Sequence, residues 1–253
     1  MPQRAPSSTY RFHGASTMPT TSADPPYAEF SRRLRHWFRK NGRDLPWRHT
    51  RDPYRVLVSE LMLQQTQVSR VIEKYHEFLE TFPTLDHVAE APPSRVMKAW
   101  AGLGYYARAR NLHKLARELR DSGDTESLPA EPAALRRLPG VGSYTAGAVA
   151  SFAFERRAPL VDTNVARVLK RVFAPRVDPK TTAGSKIIWT IAGEALPRTG
   201  KASWTHNQAV MELGALLCTA RVMHCERCPV APLCATRNAS GSTARPTIRR
   251  RNA

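Results

Sequence analysis

The sequence predicts an all-α fold of roughly ten helices, on three observations. Apolar residues recur at steps of three and four, as in Leu34, Trp37, Phe38 and again in Tyr54, Leu57, Val58, Leu61, Met62. The period-two alternation of strands is weak throughout. Proline and glycine punctuate the chain at helix-length intervals: Gly42 to Pro46, Pro83, Pro92–Pro93, Gly123, Pro139 to Gly142, Pro159, Pro175 and Pro197 to Gly200.

Taken in order, residues 1–27 are rich in Pro, Ser and Thr, nearly lack acids, and read as a disordered tail. A folded domain is expected over 28–236, followed by a basic disordered tail over 237–253. Lys and Arg number 39 against 21 Asp and Glu, a formal charge of +18. Such an excess suits a polyanionic partner, because each neutralised phosphate releases counterions. A solvated basic face is the alternative. No run of 18 apolar residues spans a membrane, and no apolar signal opens the chain. An intracellular protein, cytoplasmic and nucleoid-associated, is the expectation.

Four constellations carry chemistry. Glu60 is the only charge between Val56 and Ser69, set among Leu57, Val58, Leu61, Met62 and Leu63. A carboxyl group in such surroundings resists ionising, which readies it to donate a proton near neutral pH. The competing reading is a Glu on the polar stripe. Gln64, Gln65, Thr66 and Gln67 follow, as donors to base edges or as a helix end. Next, Leu138-Pro139-Gly140-Val141-Gly142 precedes a helix of small residues, an arrangement that presents backbone N–H groups to phosphate or simply turns the chain. Asp162 precedes a helix with Val165, Val168, Leu169 and Val172 on one face. It reads as an N-cap, as a second carboxylate near Glu60, or as both.

The fourth constellation is the most specific. The four cysteines, Cys218, Cys225, Cys228 and Cys234, form Cys-x6-Cys-x2-Cys-x5-Cys. Without a secretory signal, disulfides are not expected. The choices are zinc and a [4Fe-4S] cluster. Only one Cys-x2-Cys knuckle is present, where structural zinc usually has two. Arg221, His224 and Arg227 make the loop basic.

Together these segments resemble the helix-hairpin-helix DNA glycosylases that include endonuclease III, and within them the MutY-type adenine glycosylases. The likeness is carried by Leu45-Pro46-Trp47-Arg48, Asp52-Pro53-Tyr54, Ser59 to Val68, Gly102 to Arg108, Leu138 to Gly142, Val161 to Val165, and Asn207-Gln208 through Cys234. The resemblance implies an endonuclease III-like fold of two subdomains. One, with the hairpin, covers about 50–155; the other covers about 28–49 plus 156–217, with an iron–sulfur loop at 218–234.

It also implies roles. Glu60 is the acid that protonates the leaving adenine at N7, and Asp162 stabilises the oxocarbenium ion. Asn164 and Tyr144 belong to the same catalytic set. Tyr144 stands where bifunctional relatives carry a nucleophilic Lys, so the reaction stops at an abasic site. Trp47, Arg48 and Gln208 surround the flipped base. Gln65, Thr66, Leu103 and Tyr105 probe or wedge the stack, and Gly140 and Gly142 clamp phosphate. Cys218, Cys225, Cys228 and Cys234 hold a [4Fe-4S] cluster. Few residues follow Cys234, so the expectation is a monomeric enzyme lacking the family's C-terminal 8-oxoguanine-reading domain, acting on double-stranded DNA with a mismatch or lesion. Two rivals stand: a G:T or G:U mismatch glycosylase on the same core, and a non-catalytic DNA-binding or lesion-sensing module.

Overall fold

The computed structural model describes residues 26–123 and 128–239. The described residues form helices α1 (Tyr27–Asn41), α2 (Pro53–Leu63), α3 (Val68–Thr81), α4 (Leu85–Glu90), α5 (Pro93–Ala99) and α6 (Ala107–Asp121). They continue with α7 (Pro132–Leu135), α8 (Ser143–Phe152), α9 (Thr163–Phe173), α10 (Thr182–Glu194), α11 (Gly200–Leu216) and α12 (Ala235–Ala239). Single 3-10 turns stand at Pro46–Arg48 and Ala231–Leu233. Among the described residues there is no strand, only one isolated bridge from Cys218 to Met223. No helix there is long and apolar enough to cross a membrane.

The fold is all-α, as the periodicity predicts, with more helices than ten because α4, α7 and α12 are too short to show a period. Both expected tails shift slightly. Helix α1 begins at Tyr27, and its first turn is held by the Phe30 N–H donating to Pro26 O at 2.9 Å. At the other end, α12 carries the chain through Ala239, because Thr236 Oγ1 donates to Arg171 O at 2.7 Å. The remainder of both tails, 1–25 and 240–253, lies outside the described residues.

Helix α2 is the hub. Asp52 caps it by accepting from the Arg55 N–H at 2.9 Å, and Pro53 fills the first helical position, where no N–H is needed. Every residue from Val56 to Met62 is buried, so this stretch of the helix has no solvent face. It packs on α3, α6 and α8. Helix α8 approaches closely because its residues are small. A Cβ on Gly147 would meet Pro159 O at 2.1 Å, so only glycine lets the following segment lie there. Helices α2 to α8 pack mainly on one another; α1 and α10 to α12 gather on α9 and α11, and α8 meets α11 between them.

Candidate active site

A cleft of about 830 Å³ opens where α2, α8, α9, α11 and the Pro46–Arg48 turn converge. Glu60 lies near the C-terminal end of α2 and is 3% exposed. Among the described residues, the one side-chain donor to it is Tyr144 on the first turn of α8, whose hydroxyl reaches Oε2 at 2.7 Å. Burial pushes the Glu60 carboxyl up from the usual 4.5 to about 7, with the Tyr144 hydrogen bond opposing and Asp162 adding to the rise. Burial also drives Tyr144 well above the usual tyrosine range, so it remains a donor.

Asp162 caps α9. Its Oδ1 accepts from the Val165 N–H at 2.6 Å, and its Oδ2 accepts from Asn164 Nδ2 at 3.1 Å. The cap reading holds, and it places the Asp162 carboxylate in the lining of the same cleft as Glu60. Arg167 Nη2 donates to Asn164 Oδ1 at 2.7 Å, and its Nε donates to Cys218 O at 2.9 Å. A polar chain thus joins the cleft to the cysteine loop.

The opposite wall is built on Arg48. Its Nε donates to Gln208 Oε1 at 2.9 Å, its Nη1 to Arg43 O at 2.6 Å, and its Nη2 to Glu212 Oε2 at 2.9 Å. Glu212 also accepts from Arg43 through the backbone N–H at 2.8 Å and through the guanidinium at 2.9 Å. Trp47 is buried beside them, edge-on to Tyr75 with ring centres 5.6 Å apart. Gln65, Thr66, Gly140 and Gly142 line the cleft as well.

Leu103 and Tyr105 are not among the lining residues. Leu103 is buried and its carbonyl accepts from Thr66 Oγ1 at 3.3 Å, while the Tyr105 side chain is 59% exposed. Sequence reasoning missed Glu212 and Arg43. The signal that singles out Glu60, one charge on an otherwise uncharged apolar stretch, applies to Glu212, the only acid of α11.

The four cysteines are free and half-buried. Cys218 Sγ accepts from Arg171 Nη1 at 3.3 Å, and the Cys234 thiol donates to Arg171 O at 3.4 Å. Burial pushes the Cys228 thiol up to about 11, and Cys218, Cys234 and Cys225 all act on it electrostatically. Among the described residues, no three His, Cys, Asp or Glu side chains close on a single-ion position.

Residues 58–192 match the family described as HhH-GPD superfamily base excision DNA repair protein. The chain belongs to the HhH-GPD superfamily. It is 42% identical to the adenine DNA glycosylase of Homo sapiens over 81% of this chain and 38% of that protein. It is 40% identical to the adenine DNA glycosylase of Mycobacterium tuberculosis over 88% of this chain and 72% of that protein. The chain thus spans about two fifths of the human relative's length. A solved structure of a thermostable thymine-DNA glycosylase superposes with a TM-score of 0.77 at 30% identity, over 84% of this chain and 97% of that one. The endonuclease III-like helical fold read from the sequence is that of this HhH-GPD member.

Proposed function

We propose that this chain is a monofunctional DNA glycosylase that hydrolyses the N-glycosidic bond of adenine mispaired with guanine or 8-oxoguanine in double-stranded DNA. The observation that carries the reading is the pair of carboxyl groups in one cleft, with Glu60 protonated up to about pH 7. Adenine DNA glycosylase relatives at about 40% identity support the choice of base.

Glu60 donates its proton to the departing base, lowering the barrier to glycosidic cleavage. Asp162, fixed by the Val165 N–H and the Asn164 amide, faces the positive charge that develops on the sugar. Tyr144 holds the Glu60 carboxyl by one hydrogen bond and offers no amine, so no Schiff base forms and the strand is left intact. Arg48, Trp47 and Gln208 enclose the extruded base. The backbone at Gly140 and Gly142, before α8, meets phosphate. The proposed division into two subdomains, about 50–155 against about 28–49 with 156–217, is supported by residues of both lining the cleft.

Cys218, Cys225, Cys228 and Cys234 fit a [4Fe-4S] cluster. Four free, half-buried cysteines on one C-terminal loop supply the thiolate set that such a cluster takes. When bound, the cluster supplies a structural staple and a one-electron redox centre. The basic side chains of the loop, Arg221 and Arg227, then face phosphate. The proposal is of a monomer, placed with the DNA it repairs in the cytoplasm, at the nucleoid.

The test is a single-turnover assay on duplexes carrying A opposite 8-oxoguanine, A opposite G, T opposite G and U opposite G, with and without alkali. Alkali-dependent cleavage at A, lost in Glu60→Gln, supports the proposal. Cleavage at T or U moves the protein to the mismatch-pyrimidine reading that the thymine-DNA glycosylase likeness favours. Binding without cleavage of any duplex points to the non-catalytic reading. Protein isolated without air is brown and contains iron; a colourless protein with stoichiometric zinc overturns the cluster assignment.

A further inference from the structure

We propose that Arg108 is a positioning residue that ties the two base-probing segments, Gln65-Thr66 and Leu103 to Tyr105, to each other and to the helix bearing the catalytic acid. The inference rests on the glycosylase reading, because it takes these segments as the ones that enter the stack.

Arg108 lies on the first turn of α6 and is 6% exposed. Its Nη1 donates to Leu61 O at 2.8 Å, Met62 O at 2.8 Å and Gln64 O at 2.6 Å. Its Nη2 donates to Leu103 O at 2.9 Å, Gly104 O at 3.0 Å and Thr66 Oγ1 at 3.2 Å. One guanidinium therefore spans two segments about 40 residues apart in sequence. It also satisfies carbonyls at the C-terminal end of α2, just beyond Glu60, where the helix dipole favours a cation.

The backbone being gripped is unusual. Gln65 has φ 57° and Tyr105 has φ 46°, left-handed conformations that non-glycine residues seldom adopt without a functional reason. Arg108 holds the carbonyl immediately before each: Gln64 O and Gly104 O. Its guanidinium also lies 5.7 Å from the buried Trp100 ring and 5.5 Å from the exposed Tyr105 ring. No carboxylate is among the groups that act on it. A buried Arg that only filled space would ordinarily be paired with an acid; this one is saturated by the backbone of the two probing segments.

Both segments are thereby held rigid before DNA arrives. A wedge that must offset unstacking has to be held, since a loose one yields to the duplex. The test uses Arg108→Lys in the full chain, which keeps the charge but has one nitrogen and cannot bridge both segments. We expect single-turnover excision at A opposite G to fall about tenfold or more, while excision at A opposite an abasic site, where little must be unpaired, falls less than about threefold. In the Glu60→Gln background, 2-aminopurine at the target position brightens on flipping, and adding Arg108→Lys abolishes that rise.

Equal losses on both duplexes, tracking a lower Tm, overturn the proposal, as does undiminished 2-aminopurine emission. If Arg108→Lys does not fold, Thr66→Val removes one acceptor of the clamp without stranding a charge. It gives the same asymmetry at about threefold; no asymmetry there also overturns the proposal. A parent protein that leaves both duplexes intact sinks the glycosylase reading instead. The emission comparison then decides the role of Arg108 by itself, and absence of emission in Glu60→Gln alone overturns it.

Discussion

Two buried carboxyl groups line the cleft and behave oppositely. Glu60 is 3% exposed and Glu212 is 1% exposed. Glu60 has a single hydroxyl partner and is raised to about 7. Glu212 is lowered to about 2, because hydrogen bonds from Arg43 and Arg48 outweigh its burial. Burial alone therefore does not decide protonation; the charge of the nearest donors does. The α2 wall keeps a proton available. The α11 wall keeps a permanent anion that fixes two guanidinium groups in the lining of the cleft.

That contrast can be broken most severely at Glu60. Glu60→Gln removes the proton donor and lowers single-turnover excision by about 10²–10⁴-fold, with DNA affinity retained in a binding titration. In the parent, the rate falls as pH rises through about 7, because the acid must be protonated to act. A rate that stays flat to pH 9 would contradict the assignment.

The α11 wall breaks through stability rather than rate. Glu212→Gln leaves Arg48 buried without its carboxylate and costs about 3 kcal/mol in denaturant unfolding. Because the Glu212 pKa is depressed, its contribution is present above the unfolded 4.5 and is lost as pH falls toward about 2. The variant and the parent therefore converge in acid.

Glu60 has the reverse sign. Folded Glu60 holds its proton to about 7, whereas the unfolded chain releases it near 4.5. Stability falls as pH rises across that window. Glu60→Gln accordingly melts above the parent at pH 8, by on the order of 1–3 kcal/mol, and the gap closes below pH 4.5. Equal melting at both pH values would show that the carboxyl is solvated.

The smallest effect sharpens the comparison. Tyr144→Phe removes the one hydroxyl that lowers the Glu60 pKa. The alkaline limb of the pH–rate profile then moves up by about one unit. A downward move would mean that Tyr144 is not the donor.

Much of this was legible along the chain. Glu60 stands out because one charge interrupts an apolar helix, and Asp162 because an acid precedes an amphipathic one. The cysteine spacing marks the C-terminal loop without any structure. Arg43 and Arg108 were not legible, because surface and buried charges look alike in a basic sequence; Glu212 carries the lone-acid signal of Glu60, but its arginine partners do not show. Their meaning lies in partners far away: 169 residues separate Arg43 from Glu212, and 47 separate Arg108 from Leu61.

By itself, the sequence determined the helical class, the Asp162 cap and the family, since periodicity, capping and contiguous motifs are local properties of the chain. Only the tertiary structure decided which buried acid keeps its proton, and which cation holds the two strained segments. Those outcomes depend on how many donors converge on one group from separate helices, a quantity that no single stretch of sequence contains.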